Sequence, residues 1–306
     1  MAATALSACL ALLFGRIVTA DSEPAAGFRV VVRWTPGALA AVASDTLMPD
    51  RLGRFATPAR DCTADSVSIA VVADSTARYF STRVTVPRSR LADELRILVV
   101  PREWTIRTGR FAGQTVSVSP NDVFRRSADR GSFGRVTREH VVAWDASSFP
   151  LGVVLRHDLS PALTTRDSVA FWQAAHDLED AIGVPLFRPT SDTAATNHVF
   201  PIDVLLDPAI KVSGLTYVSW DRGGRLFEGT VRFHSSRDIA LPSIVAHELM
   251  HALGFGHTTA WPSAMQTRAP GLGSVTVEDA ACAQLLMRLH ALQQDPLILG
   301  GLVAAR

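Results

Sequence analysis

A chain of 306 residues suits one large domain or two ordinary ones, and 47% apolar with 19% charged residues is a globular composition. A formal net charge of +1 removes the electrostatic case for nucleic acid or anionic lipid as a partner. Beyond the first twenty residues no apolar run reaches the ~20 residues that a transmembrane helix needs.

Residues 1–20, MAATALSACLALLFGRIVTA, read as an export signal ending at the small residues Val18-Thr19-Ala20. Arg16 interrupts the end of the apolar stretch, and no basic residue precedes it. Leu6-Ser7-Ala8-Cys9 resembles a bacterial lipobox, so a lipid anchor at Cys9 stands as the alternative to simple cleavage. Either way the expected location is outside the cytoplasm, whether secreted, periplasmic or at the cell surface. Cleavage leaves Cys62 and Cys282, which an oxidising compartment would allow to pair or leave apart.

Residues 21–119 read as a β-rich accessory or pro-domain. Phe28–Trp34, Val67–Ala73, Tyr79–Val86, Leu95–Val100 and Thr115–Ser119 are β-branched or aromatic-rich and bounded by turn formers, a spacing that predicts a small β-sandwich. This region shows no catalytic constellation. Residues 120–148 carry turn and linker chemistry, with His140–Trp144 a strand of either domain.

A second domain is expected over 149–306. It opens with a strand at Leu151–Leu155 and a helix from about Arg166 to Ile182, where Phe171, Ala174, Ala175, Leu178 and Ile182 recur at helical spacing before the stop at Gly183. Strands follow at Val184–Phe187, Ile202–Leu206, Gly214–Trp220 and Gly229–His234, the last two joined by a turn at Asp221-Arg222-Gly223-Gly224. Near the end, Thr276 with Asp279 three residues on gives a near capping box. Ala281, Leu285, Leu286, Leu289 and Leu292 then stripe a closing helix.

Residues 241–257, LPSIVAHELMHALGFGH, carry the chemistry. His247, Glu248, His251, Gly254 and His257 stand in the pattern H-E-x-x-H-x-x-G-x-x-H. Pro242 suits a first helical turn, and four-residue spacing places His247 and His251 on one face, with Val245, Leu249, Ala252 and Leu253 on the core face opposite. Gly254 ends the helix in a left-handed turn that returns His257 to the same point. Three neutral imidazoles suit one zinc ion (Zn²⁺) and leave a position for a water of pKa roughly 7, with Glu248 free to act as its base. His234 lacks motif spacing and reads as a solvated or hydrogen-bonded strand histidine.

This motif resembles that of the metzincin clan of zinc peptidases, with Ser263-Ala264-Met265 standing where those enzymes have a methionine turn. The short interval from His257 to Met265 and the helix after it are most like the matrixin branch. Gln266 follows Met265, so a tyrosine fifth ligand is not implied. The resemblance implies an α+β chain in which the β-sandwich-like domain precedes a metzincin-like catalytic domain, a mixed twisted sheet with an active-site helix and a C-terminal helix. It also implies substrate pairing along an edge strand, here Gly229–His234. A structural calcium ion (Ca²⁺) at residues 221–224 is weakly supported, since carboxylates there are few. The surroundings of Cys62 do not match the matrixin cysteine-switch motif.

The expectation is an exported zinc endopeptidase acting on protein or peptide substrates. Its rivals are a zinc hydrolase of a non-peptide bond and a non-catalytic exported binding protein with a structural zinc site.

Overall fold

A computed structural model describes residues 10–299 apart from 24, 26, 37–42, 62, 63, 75–77, 119–133, 135, 138, 139, 197, 260, 267–273 and 296. The chain is mixed α and β and divides into two compact units, Met1–Arg102 with Leu292–Arg306, and Glu103–Ala291. This division differs from the boundaries expected at 21–119, 120–148 and 149–306. No helix of the described residues is long and apolar enough to cross a membrane.

In the first unit, β3 (Phe28–Pro36) and β7 (Ala64–Ala73) are the inner strands of an antiparallel sheet ordered β4-β3-β7-β8, with β4 (Ala43–Leu47) and β8 (Thr82–Pro87) at its edges. The two-residue period of a strand sends Val30, Val32 and Trp34 to one face and leaves Arg29 and Arg33 in solvent on the other. A second sheet is ordered β19-β9-β2-β5, from β2 (Phe14–Thr19), β5 (Arg54–Ala56), β9 (Leu95–Val99) and β19 (Ile298–Leu299). Ile17, Phe55, Leu95 and Ile97 join Val30, Val32, Val67 and Ile69 in one core, so the two sheets share their apolar faces. A short pair, β1 (Leu10–Ala11) with β6 (Arg60–Asp61), completes the unit's pairing.

β2 departs from the reading of residues 1–20 as a removable leader. It lies inside the sheet, parallel to β9 on one side and antiparallel to β5 on the other. An apolar run with alternating burial serves a leader and an inner strand equally well in composition, and only the pairing partners tell them apart. The corner after it is also built in. Thr19 donates to the Glu23 carbonyl at 2.6 Å, and Tyr79 donates to buried Asp21 at 3.0 Å. Cys9 and Cys62 lie outside the described residues, and with them the proposed anchor and the pairing of Cys62 with Cys282. The end of the chain returns to this unit because β19 pairs in parallel with β9.

The second unit begins with two small antiparallel pairs, β10 (Glu103–Thr105) with β11 (Thr115–Ser117) and β12 (Val136–Thr137) with β13 (His140–Val141). Val142, Ala143 and Trp144, expected in a linker, are buried here. The main sheet is ordered β15-β14-β16-β18-β17, from β14 (Leu151–Leu155), β15 (Phe187–Pro189), β16 (Ile202–Leu206), β17 (Gly214–Trp220) and β18 (Leu226–Phe233). All neighbours are parallel except β17 with β18. The edge strands are therefore β15 and β17, of which β17 is the one antiparallel to its neighbour. β18, which contains most of the strand expected at the edge, is interior.

Helix α1 (Thr165–Ile182) links β14 to β15. It starts in a capping box between Thr164 and Asp167 and stops at Gly183, whose φ of 83° is the left-handed value glycine tolerates. The short α2 (Ser236–Ile239) leads into α3 (Pro242–Ala252), and α4 (Val277–Gln293) closes the unit.

Candidate metal centre

Proline at the first turn starts α3 where its missing N–H costs nothing, and Val245, Leu249 and Ala252 are fully buried on the face the sequence assigns to the core. The opposite face is not open, as an amphipathic reading would have it. Glu248 is 5% and His251 8% exposed, because β17 and the turn at residues 263–265 lie against that side. Gly254 takes φ 100°, and a Cβ there would stand 2.9 Å from the Val142 carbonyl oxygen, so both backbone shape and space call for glycine. Trp144 donates its indole N–H to the Ala252 carbonyl at 2.8 Å, fixing the end of α3.

The turn at Gly254 brings the three histidines together. His257 Nε2 lies 3.1 Å from His251 Nε2 and 3.3 Å from His247 Nε2. Ligands at ~2.0–2.1 Å around a tetrahedral ion stand roughly 3.3–3.4 Å apart, close to both separations from His257, and all three ligand atoms lie within 4.8 Å of one another. His247 Nδ1 donates to the Ala264 carbonyl at 2.6 Å and His251 Nδ1 to the Phe255 carbonyl at 2.8 Å. A carbonyl only accepts, so in both neutral rings the proton sits on Nδ1 and the Nε2 lone pair faces the shared point. Burial lowers the pKa of His247, which keeps that ring neutral, as a ligand must be. The residues present fit a zinc ion. Among the described residues this is the one group of three or more His, Cys, Asp or Glu side chains with converging ligand atoms.

Met265 is fully buried, and its carbonyl accepts the Thr258 N–H at 3.0 Å, which ties the turn to the residue after His257. Beneath it, the Asp279 carboxylate of α4 accepts from the Ser263 hydroxyl, from Ala264 N–H at 2.8 Å and from the Trp261 indole at 3.1 Å. The sequence shows Asp279 only as a cap, which it also is, accepting Thr276 N–H at 3.1 Å.

Glu248 faces the edge strand. Its Oε2 lies 2.6 Å from Thr216 Oγ1, and that hydroxyl is also 3.1 Å from the Glu248 carbonyl oxygen. A Cβ on Gly214 would fall 2.5 Å from Glu248 Cγ and 2.6 Å from Oε1, so β17 leaves a slot that the carboxyl fills. Burial pushes the Glu248 carboxyl up to about 7, against the opposing pull of the Thr216 hydrogen bond. Gly214 and Thr216 were not legible as functional residues, since a glycine and a threonine in a strand carry no motif.

His234 stands apart, exposed, with Nδ1 donating to the Ile210 carbonyl at 2.9 Å. Asp221 accepts Gly223 N–H at 2.8 Å and Arg225 N–H at 3.0 Å, so its carboxylate closes its own turn. Cys282 is buried in α4. No protein-family model matches the chain, and no curated protein matches it.

Proposed function

We propose that the chain is a zinc endopeptidase of metzincin type, nearest in its pattern to the matrixin branch. The observation that carries this reading is the convergence of three imidazole Nε2 atoms next to the buried carboxyl of Glu248. A purely structural zinc site has no use for such a carboxyl, and burying it is costly.

His247, His251 and His257 would hold the zinc ion, which when bound would supply Lewis acidity for the scissile carbonyl and for a water of pKa roughly 7. Glu248, held through Oε2 by Thr216, would take the proton of the attacking water and pass it to the leaving amine. The buried walls around it thin out water and strengthen each interaction. β17 supports a peptide rather than another substrate: it is the antiparallel edge of the sheet, so an extended chain laid along it would add a strand. Thr216 of that strand already touches Glu248, which would bring a paired backbone close to the base.

The test is digestion of casein and of a mixed peptide library by the full chain, with and without a chelator. The expected outcome is chelator-sensitive appearance of new peptide N-termini. Zinc-dependent turnover of small esters or amides with every peptide left intact would move the assignment to a non-peptide bond. Zinc bound without turnover of any substrate would favour the binding protein with a structural site.

A further inference from the structure

We propose that Asp279 and Ser263 act through the peptide group between Ala264 and Met265 to strengthen His247 as a metal ligand; the inference rests on the zinc reading above. The path is continuous. His247 Nδ1–H donates to the Ala264 carbonyl at 2.6 Å, and the N–H of the same peptide group, on Met265, donates to Ser263 Oγ at 2.9 Å. Because Ser263 Oγ receives that N–H, its own proton is free to go to Asp279 Oδ1, which accepts it.

Charge, hydroxyl, peptide and imidazole thus stand in line, each donor pointing toward the carboxylate. Ser263, Met265 and Asp279 are fully buried and Ala264 is 8% exposed, so little water screens the sequence. In such surroundings hydrogen bonds in a chain polarise one another. Electron density pushed from the carboxylate makes the Ala264 carbonyl a better acceptor. That draws the Nδ1 proton outward and leaves the Nε2 lone pair of His247 more basic toward a metal.

The arrangement extends the familiar carboxylate–histidine pair by a hydroxyl and one peptide group. Asp279 has a second hold on the same turn, through Ala264 N–H and the Trp261 indole, so it also sets the position of the carbonyl that His247 uses. Both are positioning residues; neither reaches the substrate.

The experiment is zinc competition against a chromophoric chelator on the full chain, together with the proton resonance of His247 Nδ1–H in the zinc-loaded protein. Ser263→Ala and Asp279→Asn are expected to raise the zinc dissociation constant about tenfold or more and to move that resonance upfield. Ser263→Thr, which keeps the hydroxyl, is expected to restore both. Gln266→Ala removes a 3.0 Å bond to the Trp261 carbonyl in the same turn but leaves the path intact, and should bind zinc like the parent.

Parent-like affinity and an unmoved resonance in folded Ser263→Ala and Asp279→Asn would overturn the relay and leave the zinc site standing. A parent that binds no zinc would overturn both. Should Ser263→Ala fail to fold, Ser263→Cys puts a weak donor in nearly the same volume, and unchanged affinity there would overturn the relay equally.

Discussion

Both units bury carboxylates, to different ends. In the first unit Asp45 accepts the Trp34 indole at 3.0 Å, and Asp21 accepts the Tyr79 phenol at 3.0 and 3.2 Å. Each is matched by a donor from a neighbouring segment, and the pairing locks strands and corners together. In the second unit Glu248 meets the Thr216 hydroxyl and is raised to about 7, while three imidazole nitrogens crowd within 3.3 Å of their neighbours. The first arrangement spends its polar groups on the fold. The second gathers them at one point at a cost to the metal-free protein, which is what the proposed metal and substrate site would require.

The contrast breaks most severely at a ligand. His251→Ala should strip the site, so that dialysis against a chelator that leaves the parent loaded removes all zinc from the variant. Retention of zinc at parent affinity would place the ion elsewhere. Next in size is Gly214→Ala, whose new Cβ meets the Glu248 side chain at 2.5 Å. Displacing the base by about an ångström should lower kcat roughly a hundredfold with zinc still bound. Parent-like kcat would show that the slot does not hold the carboxyl.

A smaller effect is the stability cost of Glu248 itself, read in the metal-free protein by chemical denaturation. Its carboxyl moves from an ordinary 4.5 to about 7 on folding, so between those values the native state binds more protons than the unfolded state, and stability falls as pH rises through the window. Metal-free Glu248→Gln should therefore exceed the parent by about 3 kcal/mol above pH 7, with the gain vanishing toward pH 4.5. A gain that does not change with pH would contradict the assignment of the cost to ionisation. Smallest is Ile17→Val in the core strand β2, expected to cost about 1 kcal/mol and to leave zinc binding untouched. No loss of stability there would argue that β2 is not packed in the sheet.

The convergence of the three histidines could be read from the sequence because its geometry is local. Four-residue spacing and one left-handed glycine carry His247, His251 and His257 to a common point without help from distant chain. Helix α1 was legible for the same reason, from the spacing of Phe171, Ala174, Ala175, Leu178 and Ile182 and the stop at Gly183, while its cap at Thr164 was not read. What the sequence hid depends on pairing. Residues 14–19 have a composition that a leader and an inner strand share, and β19 is only two residues of apolar tail until β9 is placed beside it. The edge of the sheet was assigned to the strand nearest α3, whereas the strand order puts β17 there. Gly214, Thr216 and Ser263 act on residues 34, 32 and 16 positions away, a reach that no spacing rule describes.

The central claim is that one zinc and one base do the work, and it is tested most directly by measuring metal content and peptide cleavage side by side in the full chain and in Glu248→Gln. Residues 14–19 should be kept in both, since they form β2. The account predicts one zinc per chain in each protein and cleavage reduced about a thousandfold in the variant. Equal cleavage by the two, or no zinc in either, would contradict it.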